Sequence, residues 1–414
     1  MSYLEISGGR TLCGEISVQG SKNAVLPILA ACLLGEGVCV IENCPQIGDV
    51  EDTLEILRAL GCSVCTCGHT VQIHASGAGI YEIKRAEAVR IRSSVLFLGA
   101  LLGKMKKAVI PLPGGCAIGK RPVDQHLCAL EALGARFCID ETITASTQGL
   151  HGARITLAMP SVGATENAVL AAMMADGETV IQNAAKEPEI DELCAFLQRR
   201  GGCIAREADG TIRIQGGRPL GPAVYRMQAD RIVSGTYLLA GAATGGYVKI
   251  QNDAGQTLAS LFSVLRQMGV HCGTSGGAAF VQGGPVSALS YVETAPYPGF
   301  PTDLQSPLMA ALCRTQGTSC ICETIFENRF RTVEELLKMG ARITVEGRCA
   351  QIRGVPALRG SVVSAPDLRG GAALVIAALQ AKGRTVITDT GYIERGYEDI
   401  SRDLSCLGAD IRRI

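Results

Sequence analysis

Leu336-Leu-Lys-Met-Gly340-Ala-Arg-Ile-Thr-Val345 reads as the last turn of a helix, a stop and the start of a strand. Gly just past a final helical turn supplies the left-handed residue that ends it. The same Leu-x-x-x-Gly pattern occurs six times, ending at Gly61, Gly134, Gly201, Gly269, Gly340 and Gly408. The separations are 73, 67, 68, 71 and 68 residues. A second marker keeps the same period. Gly-x-x-x-Ile runs Gly37–Ile41, Gly177–Ile181, Gly246–Ile250, Gly317–Ile321 and Gly383–Ile387, and a sixth copy puts Lys106 in place of Gly before Ile110. Each is a turn residue followed by a strand pattern.

Ahead of each strand lies an apolar, Ala-rich segment of helical length: 24–34, 93–102, 164–174, 231–243, 304–314 and 368–381. Small or polar residues stand where caps belong, namely Ser21, Ser93, Ser161, Asp230, Thr302 and Asp367. Each unit of about 70 residues therefore reads helix, strand, loop, helix, strand. The first helix is apolar nearly all round, which predicts burial, and the second carries a charged face and belongs outside. The class is α/β and pseudosymmetric, with three units plus three compatible with ordinary domain sizes.

Composition agrees. A chain of 414 residues has length for two or three domains, and 47% apolar residues is enough for real cores. The 39 basic side chains balance 39 acidic ones, and Trp is absent with aromatics at 4%. That excludes a nucleic-acid binder working by bulk charge or by stacking platforms. The first 20 residues lack the apolar core of a secretory signal, and no apolar run reaches membrane-helix length. A cytoplasmic chain is expected, with its 18 cysteines as reduced thiols.

Repeat units depart from one another most in the second. The distance from the strand Ile to the helix-stop Gly is 24 there and 19 to 21 elsewhere. The insertion is Pro111-Leu-Pro-Gly-Gly-Cys-Ala-Ile-Gly-Lys-Arg-Pro-Val-Asp124, and insertions in repeat architectures mark loops on a binding face. Cys116 follows Gly-Gly and precedes Lys120 and Arg121, which favours a lowered thiol pKa and a proton donor or nucleophile. The alternative is a buried inert cysteine. Cys62, Cys65, Cys67 and His69 resemble a zinc cluster but lie along one strand with no second pair nearby, so no metal is assigned. Lys22, Arg92 and Arg369 open buried helices, and Arg121, Arg329 and Arg395 precede outer ones. Cations at helix N-termini are unfavourable without an anion, so their repetition in register predicts a phosphate- and carboxylate-bearing ligand. Asp303, at the fifth apolar helix, reads as the acidic exception or as a plain N-cap.

Several pieces occur in an order that resembles a known family. They are Ser21-Lys-Asn-Ala24, Leu112-Pro-Gly-Gly-Cys-Ala-Ile-Gly119, Arg121-Pro-Val-Asp124, Ser161-Val-Gly-Ala-Thr165, Glu187-Pro-Glu-Ile190, Phe300-Pro-Thr-Asp303, Glu327-Asn-Arg-Phe330, Asp367-Leu-Arg369 and Arg395-Gly-Tyr-Glu398. Together they resemble the enolpyruvyl transferases, and among them the UDP-N-acetylglucosamine enolpyruvyl transferase family, over the whole chain. The resemblance implies an inverted α/β barrel of two domains, each of three pseudosymmetric helix–strand repeats. One domain would be 1–20 plus 230–414 and the other 21–229, the latter carrying the Cys116 loop, with helix N-termini at the cleft.

The implied reaction moves enolpyruvyl from phosphoenolpyruvate to the 3-hydroxyl of UDP-N-acetylglucosamine, the first committed step of peptidoglycan synthesis. By resemblance Cys116, Asp303, Lys22 and Arg395 are catalytic, Cys116 as the general acid and Asp303 as the group that takes the hydroxyl proton. Lys22, Asn23, Arg121, Arg369 and Arg395 bind phosphoenolpyruvate. Asn23, Arg92, Arg121, Pro122, Val123, Asp124, Gln125, Ser161, Val162, Asp303 and Ile325 bind the nucleotide sugar. No cofactor, metal, nucleic acid or membrane partner is implied. The sister family with a shikimate phosphate acceptor lacks the cysteine loop. Three departures stand out. Met159-Pro160 occupies a place where relatives often carry Lys, Asp230–Gly235 replaces a usual Glu-Thr before Gly, and Gly370-Gly371 is expected to loosen its helix start.

Overall fold

The structure is a computed structural model that describes residues 2–84, 92–112, 123–253 and 255–414, the side chains of residues 92 and 93 excepted. The chain divides into two compact units. Among the described residues, one comprises 2–19, 229–253 and 255–414 (the 2–19/229–414 unit) and the other 20–84, 92–112 and 123–228 (the 20–228 unit).

The helix-stop glycines adopt the conformation their position requires. Gly61, Gly134, Gly201, Gly269, Gly340 and Gly408 have φ between 83° and 96°. Such angles are costly for a residue with a Cβ. The turn before each strand repeats the device at Gly37, Gly177, Gly317 and Gly383, and Lys106 follows the repeat against its own preference at φ 59°. In the remaining copy the left-handed residue is Gly245, one position early.

Among the described residues, six sheets share one strand order. A short edge strand pairs parallel to the Gly-x-x-x-Ile strand, which pairs antiparallel to a return strand, which pairs antiparallel to the strand after the helix-stop glycine. One example is Ala223–Arg226, Val38–Glu42, Thr70–His74 and Ser63–Cys67; another is Val292–Glu293, Thr318–Cys322, Cys349–Arg353 and Arg342–Glu346. In the sheet of Lys107–Pro111 the edge place is held by an isolated parallel bridge from Glu82 to Val109. The repeat thus contains more than helix, strand, loop, helix, strand. The return strand closes a hairpin within what reads as a loop, and the edge strand is too short to carry a period.

Three apolar helices fill each unit. In 20–228 they are Lys22–Ala31, Phe97–Met105 and Val162–Ala172; in the other they are Arg231–Ala243, Gln305–Leu312 and Leu368–Gln380. Leu368–Gln380 is buried from Arg369 to its end, and Gln305–Leu312 throughout. Gly48–Ala59, Asp124–Ala132 and Pro188–Arg199 keep one face exposed, as do Ala259–Gln267, Thr332–Lys338 and Ile400–Cys406. Each unit is an inverted α/β barrel, with helices inside and sheets outside.

Four of the expected caps form. Ser21 and Ser161 accept from Ala24 N–H and Ala164 N–H, each at 3.4 Å, and Asp230 and Asp367 each accept two N–H groups. Thr302 does not cap; its hydroxyl donates to Glu323 instead, 2.9 Å. The Ser93 side chain lies outside the described residues. Gly370 and Gly371 do not loosen their helix. A Cβ on Gly370 would meet Thr332 Oγ1 at 2.4 Å and one on Gly371 would meet Ile393 at 2.5 Å, so the glycines permit close packing. Not every cysteine is a thiol: Cys322 and Cys349 are joined as a disulfide.

Candidate active site

Asp303 lies in a 3-10 turn, Thr302–Leu304, that leads into the helix Gln305–Leu312. Its carboxylate is bracketed. Arg329 Nη2 donates to Oδ1 at 2.6 Å and Arg369 Nη2 donates to Oδ2 at 3.0 Å. Both guanidiniums are 3% exposed, while the Asp303 side chain is 25% exposed. Arg329 also donates to the Thr302 carbonyl. Arg369 stands in the first turn of its helix, its backbone N–H capped by Asp367, and its Nη1 points at Tyr397 Oη, 3.4 Å. Burial opposes the Arg369 charge, but Asp303, then Tyr397 and Asp230, outweigh it and raise its pKa. Each Asp303 oxygen takes a charged donor, and the side chain stays 25% exposed between the two buried guanidiniums. Such a group can accept a proton from a hydroxyl.

Glu323 builds the neighbouring loop. One oxygen accepts from Ile325 and Phe326 N–H at 2.8 and 3.0 Å, the other from Thr302. Ile325 is held by its backbone with its side chain exposed. Arg395 is half-buried at the end of the short helix Gly391–Glu394.

In the 20–228 unit, Lys22 opens its helix beside Asn23, both half-buried. Lys22 Nζ is 2.9 Å from Asp49 Oδ2. Val123 precedes the helix Asp124–Ala132, and Gln125 Oε1 accepts from Met159 N–H at 3.2 Å. That bond ties Gln125 to the bend that leads from the strand Arg154–Thr156 to Ser161 and Val162. Behind them buried His126 has its Nδ1 2.8 Å from Asn167 Nδ2, and Asn167 Oδ1 accepts from Gly99 N–H at 2.7 Å. Burial pulls His126 down to about 4, so it is neutral near pH 7. Gly163 leaves room for that ring, since a Cβ there would come within 2.8 Å of it.

Cys116, Arg121 and Pro122 lie outside the described residues, as does the Arg92 side chain. The structure brings Asp303 and Arg369 together and ties Gln125 to the bend before Ser161 and Val162. Lys22 and Arg369 stand at helix starts with a carboxylate of the protein as partner. Sequence reading missed the pairing of Arg329 with Asp303, and the roles of Glu323, His126 and Tyr397. Among the described residues the group with metal-ligand spacing is Cys320, Cys322 and Cys349, not the cysteines near His69.

The family model of EPSP synthase (3-phosphoshikimate 1-carboxyvinyltransferase) matches residues 6–404. The chain belongs to this family of transferases. A solved relative, the enolpyruvyl transferase NikO from Streptomyces tendae, superposes with a TM-score of 0.88 at 26% identity over 100% of this chain and 98% of that one. EPSP synthase from Acinetobacter baumannii, at 19% identity and a TM-score of 0.76 with both chains covered in full, shares the fold. Within the family the resemblance narrows to the UDP-N-acetylglucosamine 1-carboxyvinyltransferases. One from Caldanaerobacter subterraneus is 46% identical over 420 residues, all of both chains; one from Symbiobacterium thermophilum is 46% identical over 99% of this chain and 94% of its own. Among the described residues no helix is long and apolar enough to cross a membrane.

Proposed function

We propose that the chain transfers enolpyruvyl from phosphoenolpyruvate to the 3-hydroxyl of UDP-N-acetylglucosamine and releases phosphate, in the cytoplasm, as the first committed step of peptidoglycan synthesis. The observation that carries this is the full-length similarity, 46% identity over 420 residues, to a relative named for that activity. In the first half-reaction the hydroxyl oxygen bonds to C2 of phosphoenolpyruvate while C3 gains a proton. In the second, the new methyl group loses a proton, the C2–phosphate oxygen bond breaks and phosphate leaves. Each half needs an acid, a base and a clamp for phosphate and carboxylate.

Cys116 is the acid and can also add covalently to phosphoenolpyruvate. Asp303 accepts the hydroxyl proton, a role supported by its partial exposure and by the two guanidiniums that orient it. Lys22, Asn23, Arg121, Arg369 and Arg395 bind phosphoenolpyruvate. Lys22 and Arg369 are held in place by Asp49 and Asp303, the kind of preorganisation that electrostatic stabilisation requires. Asn23, Arg92, Arg121, Pro122, Val123, Asp124, Gln125, Ser161, Val162, Asp303 and Ile325 contact the nucleotide sugar.

Phosphate release, measured with each candidate acceptor, tests this. Turnover is expected with UDP-N-acetylglucosamine; release with shikimate 3-phosphate alone overturns the assignment. Cys116→Ala is expected to lose turnover and Cys116→Asp to keep part of it, whereas equal turnover of Cys116→Ala and wild type removes the acid role.

A further inference from the structure

We propose that Cys322 and Cys349 form a reversible redox centre on the outer face of their sheet, opened by dithiol reductants and closed by disulfide oxidants. The two stand directly opposite each other on the antiparallel strands Thr318–Cys322 and Cys349–Arg353. Their Cα atoms are 4.1 Å apart and the residues are joined as a disulfide. Cross-strand neighbours at such a spacing bring their side chains closest. Cys320 is two residues earlier and so on the same face. The three sulfurs all lie within 4.8 Å of one another.

This face meets solvent. Glu293 sits beside Cys322 on one side of the row and Glu346 beside Cys349 on the other, and both are exposed. Ile321, Ala350 and Ile352 alternate with the cysteines and point into the core. The core therefore does not account for three sulfurs on the opposite side. Cys349 is half-buried and Cys322 buried, so Cys349 is the sulfur an external thiol reaches.

An incoming thiolate attacks Cys349 Sγ, the Cys322–Cys349 bond breaks, and Cys322 leaves as a thiolate. The second thiol of the same reductant then displaces Cys349. The reductant becomes a disulfide, and the protein gains two electrons and two protons. A disulfide oxidant such as oxidised glutathione drives the reverse. In compartments that keep thiols reduced, disulfides are typically transient or redox-sensing. The bond also reaches the Asp303 loop. Cys322 precedes Glu323, whose N–H donates to the Arg348 carbonyl at 2.8 Å and whose carboxylate holds Thr302 and the Ile325 N–H.

The full chain, in metal-free buffer, is equilibrated with oxidised glutathione or with dithiothreitol, alkylated in denaturant and digested with trypsin without reduction. Cleavage after Arg314, Arg329, Arg348 and Arg353 yields peptides 315–329 and 349–353. Expected after oxidation are a linked pair of these peptides, a fragment spectrum placing the bond at Cys322, and two of the 18 cysteines protected. Dithiothreitol returns both peptides singly, Cys349→Ser abolishes the pair, and Cys320→Ser keeps it. Separate, fully alkylated peptides after oxidation overturn the proposal. So does a linked pair that resists dithiothreitol in the native protein. So does one equivalent of zinc held by the reduced protein and lost in Cys349→Ser, which would make this a metal site. None of these readouts depends on turnover, so their failure leaves the transferase reading standing, and the converse holds.

Discussion

Two buried guanidiniums on one carboxylate make Asp303 a structural residue as well as a candidate base. Removing its charge takes the ion-paired carboxylate away from Arg329 and Arg369, each 3% exposed. Breaking such an arrangement costs about 3–5 kcal/mol where the groups are fully desolvated, and less here because Asp303 is 25% exposed. Asp303→Asn is therefore expected to destabilise the 2–19/229–414 unit by about 2 kcal/mol, read from denaturant unfolding, and to cut turnover by about 10²–10⁴-fold. Unchanged turnover in a folded variant would remove Asp303 from the chemistry. Sequence spacing singled out Lys22 and Arg369 as cations at helix starts but not their partners. Asp49 is 27 positions from Lys22 and Asp303 is 66 from Arg369, separations that only the repeat packing closes.

Helix ends and the turns before strands were the most legible elements. Their geometry needs φ > 0, and glycine advertises that need. Lys106 is the informative exception, exposed and left-handed at φ 59°. Lys106→Gly is expected to stabilise the 20–228 unit by about 1 kcal/mol, seen as a higher unfolding midpoint. A lower midpoint would mean that the Lys106 side chain contributes more than its backbone costs. A less obvious repeat position lies two residues past each strand Ile. There Asn43, Asn183 and Asn252 donate to Met227, Leu157 and Val18 carbonyls at the end of the parallel edge strand. Glu323 occupies the same position and instead holds Thr302 and the Ile325–Phe326 loop. The period contains that signal, since only there do amides give way to acids (Glu323 and Asp389), but its meaning needs the strands in place.

At the level of the molecule, the N-terminal strands belong to modules far along the chain. Leu4–Ser7 is the return strand between Arg384–Thr388 and Asp410–Arg413, and Cys13–Ile16 is the parallel edge beside Tyr247–Ile250. Deleting residues 2–19 is expected to cost the 229–414 portion its slow amide exchange while residues 20–228 keep theirs, followed by hydrogen-exchange mass spectrometry. Protection retained throughout would show that two incomplete sheets suffice.

Six modules, buried apolar helices, outer charged helices and their stops were written in the sequence. Hydrophobic period and backbone chirality act over a few residues, and a repeat displays them six times. Tertiary structure alone decided which strand completes which sheet, which carboxylate answers which cation and which cysteines meet. Those depend on groups tens to hundreds of residues apart, and pairing at such range is set by how the modules pack together, not by any local preference.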